Sequence, residues 1–264
     1  MLILIAMQGG SSGAFLQSIV AQWITGDQSC MQFGTNGDCH DYKRDYEQRY
    51  LQPGWQKFPL SDWSLLKRRV GIDRDMPIVV WSRCLEPWAE ISQFHANWHH
   101  VFIHVEAMEK LWTATNHFYK MLPQFGIGDG SPIDLGYRMA LEKRLVPEVD
   151  DLQTLEPEQC RRVILSQQHF EVDHSKCFHY SAECNRQYPG RRTDINFLDI
   201  MTRPDRIFER LAAIIKLEPN LMVYANYAGY LEKQYELISK KAPWLHDRLM
   251  GIHRAIQWCN KKCI

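Results

Sequence analysis

Five consecutive apolar residues, Leu2 to Ala6, open the chain. A run without polar alternation is apolar on both faces, which suits a central parallel strand covered by helices on each side. Gly9-Gly10-Ser11-Ser12-Gly13 interrupts it. Phe15, Leu16, Ile19, Val20, Trp23 and Ile24 then recur on one helical face until Gly26, which ends the predicted helix. Residues 26–64 show no clear period and read as loop with short helical pieces. Pro77–Trp81 and Val101–Val105 predict a second and a third strand. A helix follows each: the first starts near Pro87 and turns Trp88, Ile91, Phe94 and Trp98 inward, and the second carries Met108, Leu111, Trp112 and Phe118 and breaks at Pro123.

Beyond Pro123 the pattern weakens into a glycine-rich loop (Gly126, Gly128, Gly130) and an acidic stretch punctuated by proline. Arg161–Ser166 reads as a short strand. Ile195–Met201 reads as a fourth strand, with Thr202 capping the next helix and Pro204 in its first turn. That helix buries Ile207, Phe208, Leu211 and Ile214, and two more helices near 222–240 and 243–258 follow. Strands alternating with amphipathic helices predict an α/β fold with a mainly parallel central sheet flanked by helices. Without an internal repeat or a linker, the whole of 1–264 is expected to be one domain, with an irregular insertion around 123–190.

Composition narrows the function classes. Hydrophobic residues make up 45% and charged residues 23% of the 264, enough for a sizeable core. The formal net charge is zero, which argues against a nucleic-acid surface, since that needs a basic excess. No apolar run approaches the ~18 residues that span a bilayer. Leu2–Ala6 is too short for the apolar core of a signal peptide and lacks a preceding basic segment. A cytoplasmic protein without a membrane span is therefore expected, and its eight scattered cysteines are expected to be reduced thiols.

The strand–loop–helix at the start carries the strongest chemical signal. Glycines at 9, 10 and 13 let backbone amides approach an anion, a helix N-terminus adds unpaired donors and a positive dipole end, and Ser11 and Ser12 add hydroxyls. A plain tight turn would use glycine too. Walker A chemistry is disfavoured, because Ala14 and Phe15 follow Gly13 where that motif needs Lys and Ser/Thr.

The order of elements and Ser11-Ser12-Gly13-Ala14-Phe15-Leu16 resemble the P-loop sulfotransferases that use 3′-phosphoadenosine-5′-phosphosulfate (PAPS), in whose loop a Ser-Gly pair meets the phosphosulfate. Phe197–Ile200 followed by Arg203-Pro204-Asp205 resembles that family's late strand and helix. The resemblance implies a three-layer P-loop-type fold, PAPS as donor without a metal, a hydroxyl or amine acceptor, and Gly9, Gly10, Ser11, Ser12, Gly13, Ala14 and Phe15 as the donor's binding loop. The chain departs from the family at Ser11, where a Lys or Arg stands. It departs again at Ala14 and Phe15, where hydroxyls stand, and at Val105 and Glu106, where an arginine is expected. Arg83 and His104, at the carboxyl ends of predicted strands, are the catalytic candidates: the arginine to hold developing charge, the histidine to take the acceptor's proton. Alternatives are a divergent P-loop kinase, or a non-catalytic nucleotide-binding or interaction protein on the same fold.

Other constellations weigh less. His169, Asp173, His174, Cys177, His179 and Cys184 crowd one stretch, but without a Cys-x₂-Cys pair they read as a polar loop rather than a zinc site. His99 and His100 read as surface residues of a turn, and Arg191-Arg192 as a solvated basic pair. Trp55 and Trp63 are candidates to line an acceptor pocket.

Overall fold

A computed structural model describes residues 1–7, 10–34, 37, 39–50, 78–84, 98–105, 112, 116, 118, 127–128, 130–166 and 191–262. The fold is α/β. Among the described residues its sheet has four strands in the order β2-β1-β3-β4: β1 (Leu2–Met7), β2 (Val79–Cys84), β3 (Trp98–His104) and β4 (Arg191–Asn196). All three pairings are parallel, with Leu4 opposite Trp81 on one side and His100 on the other, and Phe102 opposite Asp194. β1 is thus an interior strand. Leu2, Ile3, Leu4 and Ile5 are all buried, which accounts for the unbroken apolar run.

Helix α1 (Gly13–Thr25) returns from the carboxyl end of β1 and stops at Gly26, whose left-handed backbone (φ 68°) directs its amide to the Gln22 and Trp23 carbonyls. Nearly every residue from Gly13 to Trp23 is buried, because α1 packs against the sheet, against α2 (His40–Tyr50) and against the long C-terminal helix α7 (Leu221–Lys241). Three of its buried residues are polar and each is paired. Gln17 donates to Glu47 (2.9 Å), Ser18 to the Ala14 carbonyl (2.9 Å), and Gln22 to the Ser29 carbonyl (2.7 Å).

Two stretches read as strand are helical. Arg161–Ser166 lies within α4 (Pro157–Ser166), whose Cys160, Val163 and Ile164 fall at helical spacing against α3 (Pro132–Glu142). The apolar run Ile195–Met201 splits at Asn196: β4 ends there, and the Asn196 side chain accepts from the Leu198 amide (2.8 Å) to start α5 (Phe197–Thr202). Thr202 closes that helix rather than opening the next. Its hydroxyl donates to the Leu198 carbonyl, and Arg203 stands at the cap of α6 (Pro204–Ile215). The chain finishes with α7 and α8 (Pro243–Lys262).

His99 and His100 are not in a turn but inside β3, and Trp98, expected on the preceding helix, opens the same strand. The His99 ring meets the Thr193 hydroxyl at 2.8 Å, and burial followed by the charge of Arg191 lowers its pKa. Arg192 is also structural. Its guanidinium grips Asp194 and lies 4.5 Å from the centroid of the Phe102 ring, leaving its side chain 11% exposed. The second helix candidate, after Pro87, the histidine–cysteine cluster at 169–184, and Trp55 and Trp63 lie outside the described residues.

Among the described residues the buried side chains form two clusters. The larger unites β1, α1 and the C-terminal helices, and the smaller joins Phe118 to α3 and α4. No helix among them is long and apolar enough to cross a membrane.

Candidate anion site at the start of α1

The strand order fixes where the loop after β1 stands. From β1 the chain crosses to β2 on one side; from β3 it crosses to β4 on the other. Right-handed crossovers put those two connections on opposite faces of the sheet. The carboxyl ends of β1 and β3, at Met7 and His104, therefore flank a point where the flanking loops diverge, the place where open α/β sheets form a crevice.

The loop itself is tightly built. Gly10 (φ 80°) and Ser12 (φ 68°) both have left-handed backbones. For a serine that conformation costs on the order of 1–2 kcal/mol, so something must hold it. Two contacts do. The Ser12 carbonyl accepts the Leu16 amide (2.9 Å), and the Ser12 hydroxyl accepts the phenol of Tyr230 (2.6 Å). Tyr230 is fixed in turn by Phe15, whose ring lies parallel to it with centroids 3.5 Å apart, and Tyr227 meets Phe15 edge-on at 5.1 Å. Burial pushes the Tyr230 phenol far above its ordinary range, against the lowering effect of its bond to Ser12, so the phenol remains a donor.

A serine before a helix usually adopts an extended backbone and accepts from an amide of the first turn. Ser12 makes no such cap. The amides of Gly13, Ala14 and Phe15 have no partner within α1, as in any helix start, and none of the described residues accepts from them. Three donors thus stand at the positive end of the helix.

The donor supply differs from the sequence expectation in two respects. Ser11 is fully buried and the Ser12 hydroxyl is engaged by Tyr230, so the donors left for a ligand are backbone amides. Gly13 does not clear space for an anion: a Cβ placed there would lie 1.9 Å from the Met7 sulfur and 2.6 Å from the Met7 Cβ. Phe15 is a core residue, and Ala14 and Gly10 are half-buried. Gly9 lies outside the described residues.

Of the two catalytic candidates the backbone is described and the side chain is not. Arg83 pairs with Ala6 near the end of β2, and His104 pairs with Asn196 at the end of β3, so both stand at the carboxyl edge of the sheet, on either side of β1. Among the described residues no group of three or more His, Cys, Asp or Glu side chains is arranged to hold a metal.

A separate cavity of about 450 Å³, of which no sequence pattern warns, is lined by Thr25, Asp27, Cys30, Tyr42, Asp45 and Arg49 among others. It sits at the C-terminal end of α1, about 20 Å along the helix from the loop. Asp27 there is held as a carboxylate: burial alone would raise its pKa, but the Ser29 amide, the Tyr42 hydroxyl and Arg49 outweigh it. Tyr42 donates to Asp27 at 2.9 Å, so the group is already satisfied.

Comparison of the chain with protein-family profiles finds no match, and comparison with curated proteins finds none.

Proposed function

We propose that this chain is a divergent P-loop-type sulfotransferase that holds the phosphosulfate end of PAPS on the first-turn amides of α1. The observation that carries the reading is the trio of amides at Gly13, Ala14 and Phe15, without an acceptor among the described residues and at the carboxyl end of an interior strand. Such amides, together with the helix dipole, favour a phosphate or sulfate group. In the reaction the acceptor's oxygen or nitrogen attacks sulfur, the sulfur–oxygen bond to the 5′-phosphate breaks, and 3′,5′-adenosine bisphosphate leaves with the electron pair. In this reading the acceptor's proton goes to His104, and the charge that develops on the leaving phosphate is assigned to Arg83. The loop brings no cation of its own, so this role falls to the neighbouring strand.

That same absence, with the Ser12 hydroxyl turned to Tyr230, favours a second reading: a binding protein that holds an anionic nucleotide without turning it over. A thermal-shift panel separates the two from a kinase. With 3′,5′-adenosine bisphosphate at about a hundredfold excess over Kd and no magnesium, the midpoint should rise by about 5 °C or more. Sulfuryl transfer from PAPS to a panel of hydroxyl and amine acceptors then distinguishes enzyme from binder. A rise only with ATP and magnesium would replace the reading with a kinase, and no response to any nucleotide would remove it.

A further inference from the structure

We infer that Tyr230 is a positioning residue for the loop after β1: by donating to the Ser12 oxygen it keeps that serine from capping α1 and leaves the first-turn amides open. The inference rests on the proposed anion site for its purpose, but not for its geometry. Ser12 is seven per cent exposed, stands immediately before α1, and is of the residue type that most readily caps a helix. It nevertheless has a left-handed backbone and makes no cap bond, and the one described side chain on its hydroxyl is Tyr230, at 2.6 Å.

The phenol is well suited to this task. Tyr230 is fully enclosed between Phe15, at a 3.5 Å centroid separation and 6° between ring planes, and Phe33, at 5.8 Å. The ring cannot swing away without breaking the stack. Cys39 and Ser18, a polar pair in the same core, are bonded to each other at 3.4 Å. If released, Ser12 would relax to an extended backbone and turn its oxygen onto the Ala14 or Phe15 amide, closing the site to an anion.

Tyr230→Phe tests this, since it keeps the ring and its stacking and removes only the donor. Without ligand, amide hydrogen exchange at Ala14 and Phe15 should slow by about fivefold in the variant, the factor a helix cap contributes. Adding Ser12→Ala to the variant should restore the wild-type rate. Affinity for 3′,5′-adenosine bisphosphate should fall by about tenfold in Tyr230→Phe, with the far-ultraviolet spectrum unchanged. Unchanged exchange at both amides would overturn the inference whatever the ligand does. Slowed exchange in a chain whose wild type binds no anion would uphold Tyr230's hold on Ser12 and remove the proposed function instead. Should Tyr230→Phe not fold, the wild type decides alone: amides held open exchange near the rate of unbonded peptide, and strong protection of both without ligand overturns the inference.

Discussion

At position 13 the space for a single methyl group governs how α1 joins β1. A Cβ there would meet the Met7 side chain at 1.9–2.7 Å, including its own Cβ, so neither a rotamer change nor a small shift of the sulfur relieves the clash. Gly13→Ala should therefore cost about 1–3 kcal/mol through overpacking, offset by at most about 1 kcal/mol from alanine's better helix propensity. Urea denaturation measures it, and a variant as stable as the parent would show that Met7 yields freely. In the sequence the glycine was read as letting amides approach an anion, with a plain turn as the alternative; that a side chain on the preceding strand demands it was not legible. Tyr230 was legible only as one residue of a late helix near 222–240. Its contact with Ser12 spans 218 residues, and no local pattern carries a pairing of that range.

Strand β2 shows what elements owe to one another. It is an outer strand among those described, and the amides of Val80 and Ser82 share one side of it. Both are met by helical side chains: Val80 donates to the Tyr46 hydroxyl of α2 (3.2 Å), and Ser82 to the Gln17 carbonyl oxygen of α1 (2.8 Å), which also takes the Ser82 hydroxyl. The two helices thereby cover an edge that would otherwise invite pairing with another chain. Gln17→Leu keeps the volume and leaves two buried donors unsatisfied, for an expected loss of about 1–3 kcal/mol and faster aggregation on light scattering. A variant with neither change would mean that water reaches the edge. β1, α1 and the Gly26 stop were readable because both faces of the strand and one face of the helix are apolar. Ile195–Met201 was misread because hydrophobicity runs through the boundary. The boundary is written in the polar residue, Asn196, whose side chain caps α5. β4 was missed for the opposite reason. Arg191–Asn196 is mostly polar, and its strand is held by β3 pairing and by Arg192 closing on Asp194 over Phe102.

Among the described residues the buried side chains divide into two clusters, and a buried carboxylate, Asp134, stands beside the smaller one on α3. Asp134, with its side chain fully buried, accepts from the Gly128 amide (2.8 Å), the Gly130 amide (3.1 Å) and Arg138 (3.1 Å), while its own amide donates to Ser131 at the start of α3. Burial alone would raise its pKa, but the Gly128 amide, Arg138 and the Gly130 amide together lower it from 3.8. A depressed folded-state pKa contributes stability that is complete above the unfolded value and lost as pH falls through the folded one. Asp134→Asn turns one acceptor into a donor facing donors, and should cost about 1.5–3 kcal/mol. Because α3 and α4 pack mainly on each other, that loss should surface locally. Hydrogen exchange at neutral pH should quicken over 132–166 in the variant, with 2–7 and 98–104 unchanged. On acidification the wild-type advantage should hold above pH 3.8 and decline progressively below it, as the parent's carboxyl takes up its proton at a folded-state pKa lowered from 3.8 and the asparagine has none to gain. Uniform quickening along the chain would mean that the two clusters open as one. An advantage that does not decline at all as pH falls below 3.8 would mean that packing of the side chain, rather than its charge, holds the smaller cluster together.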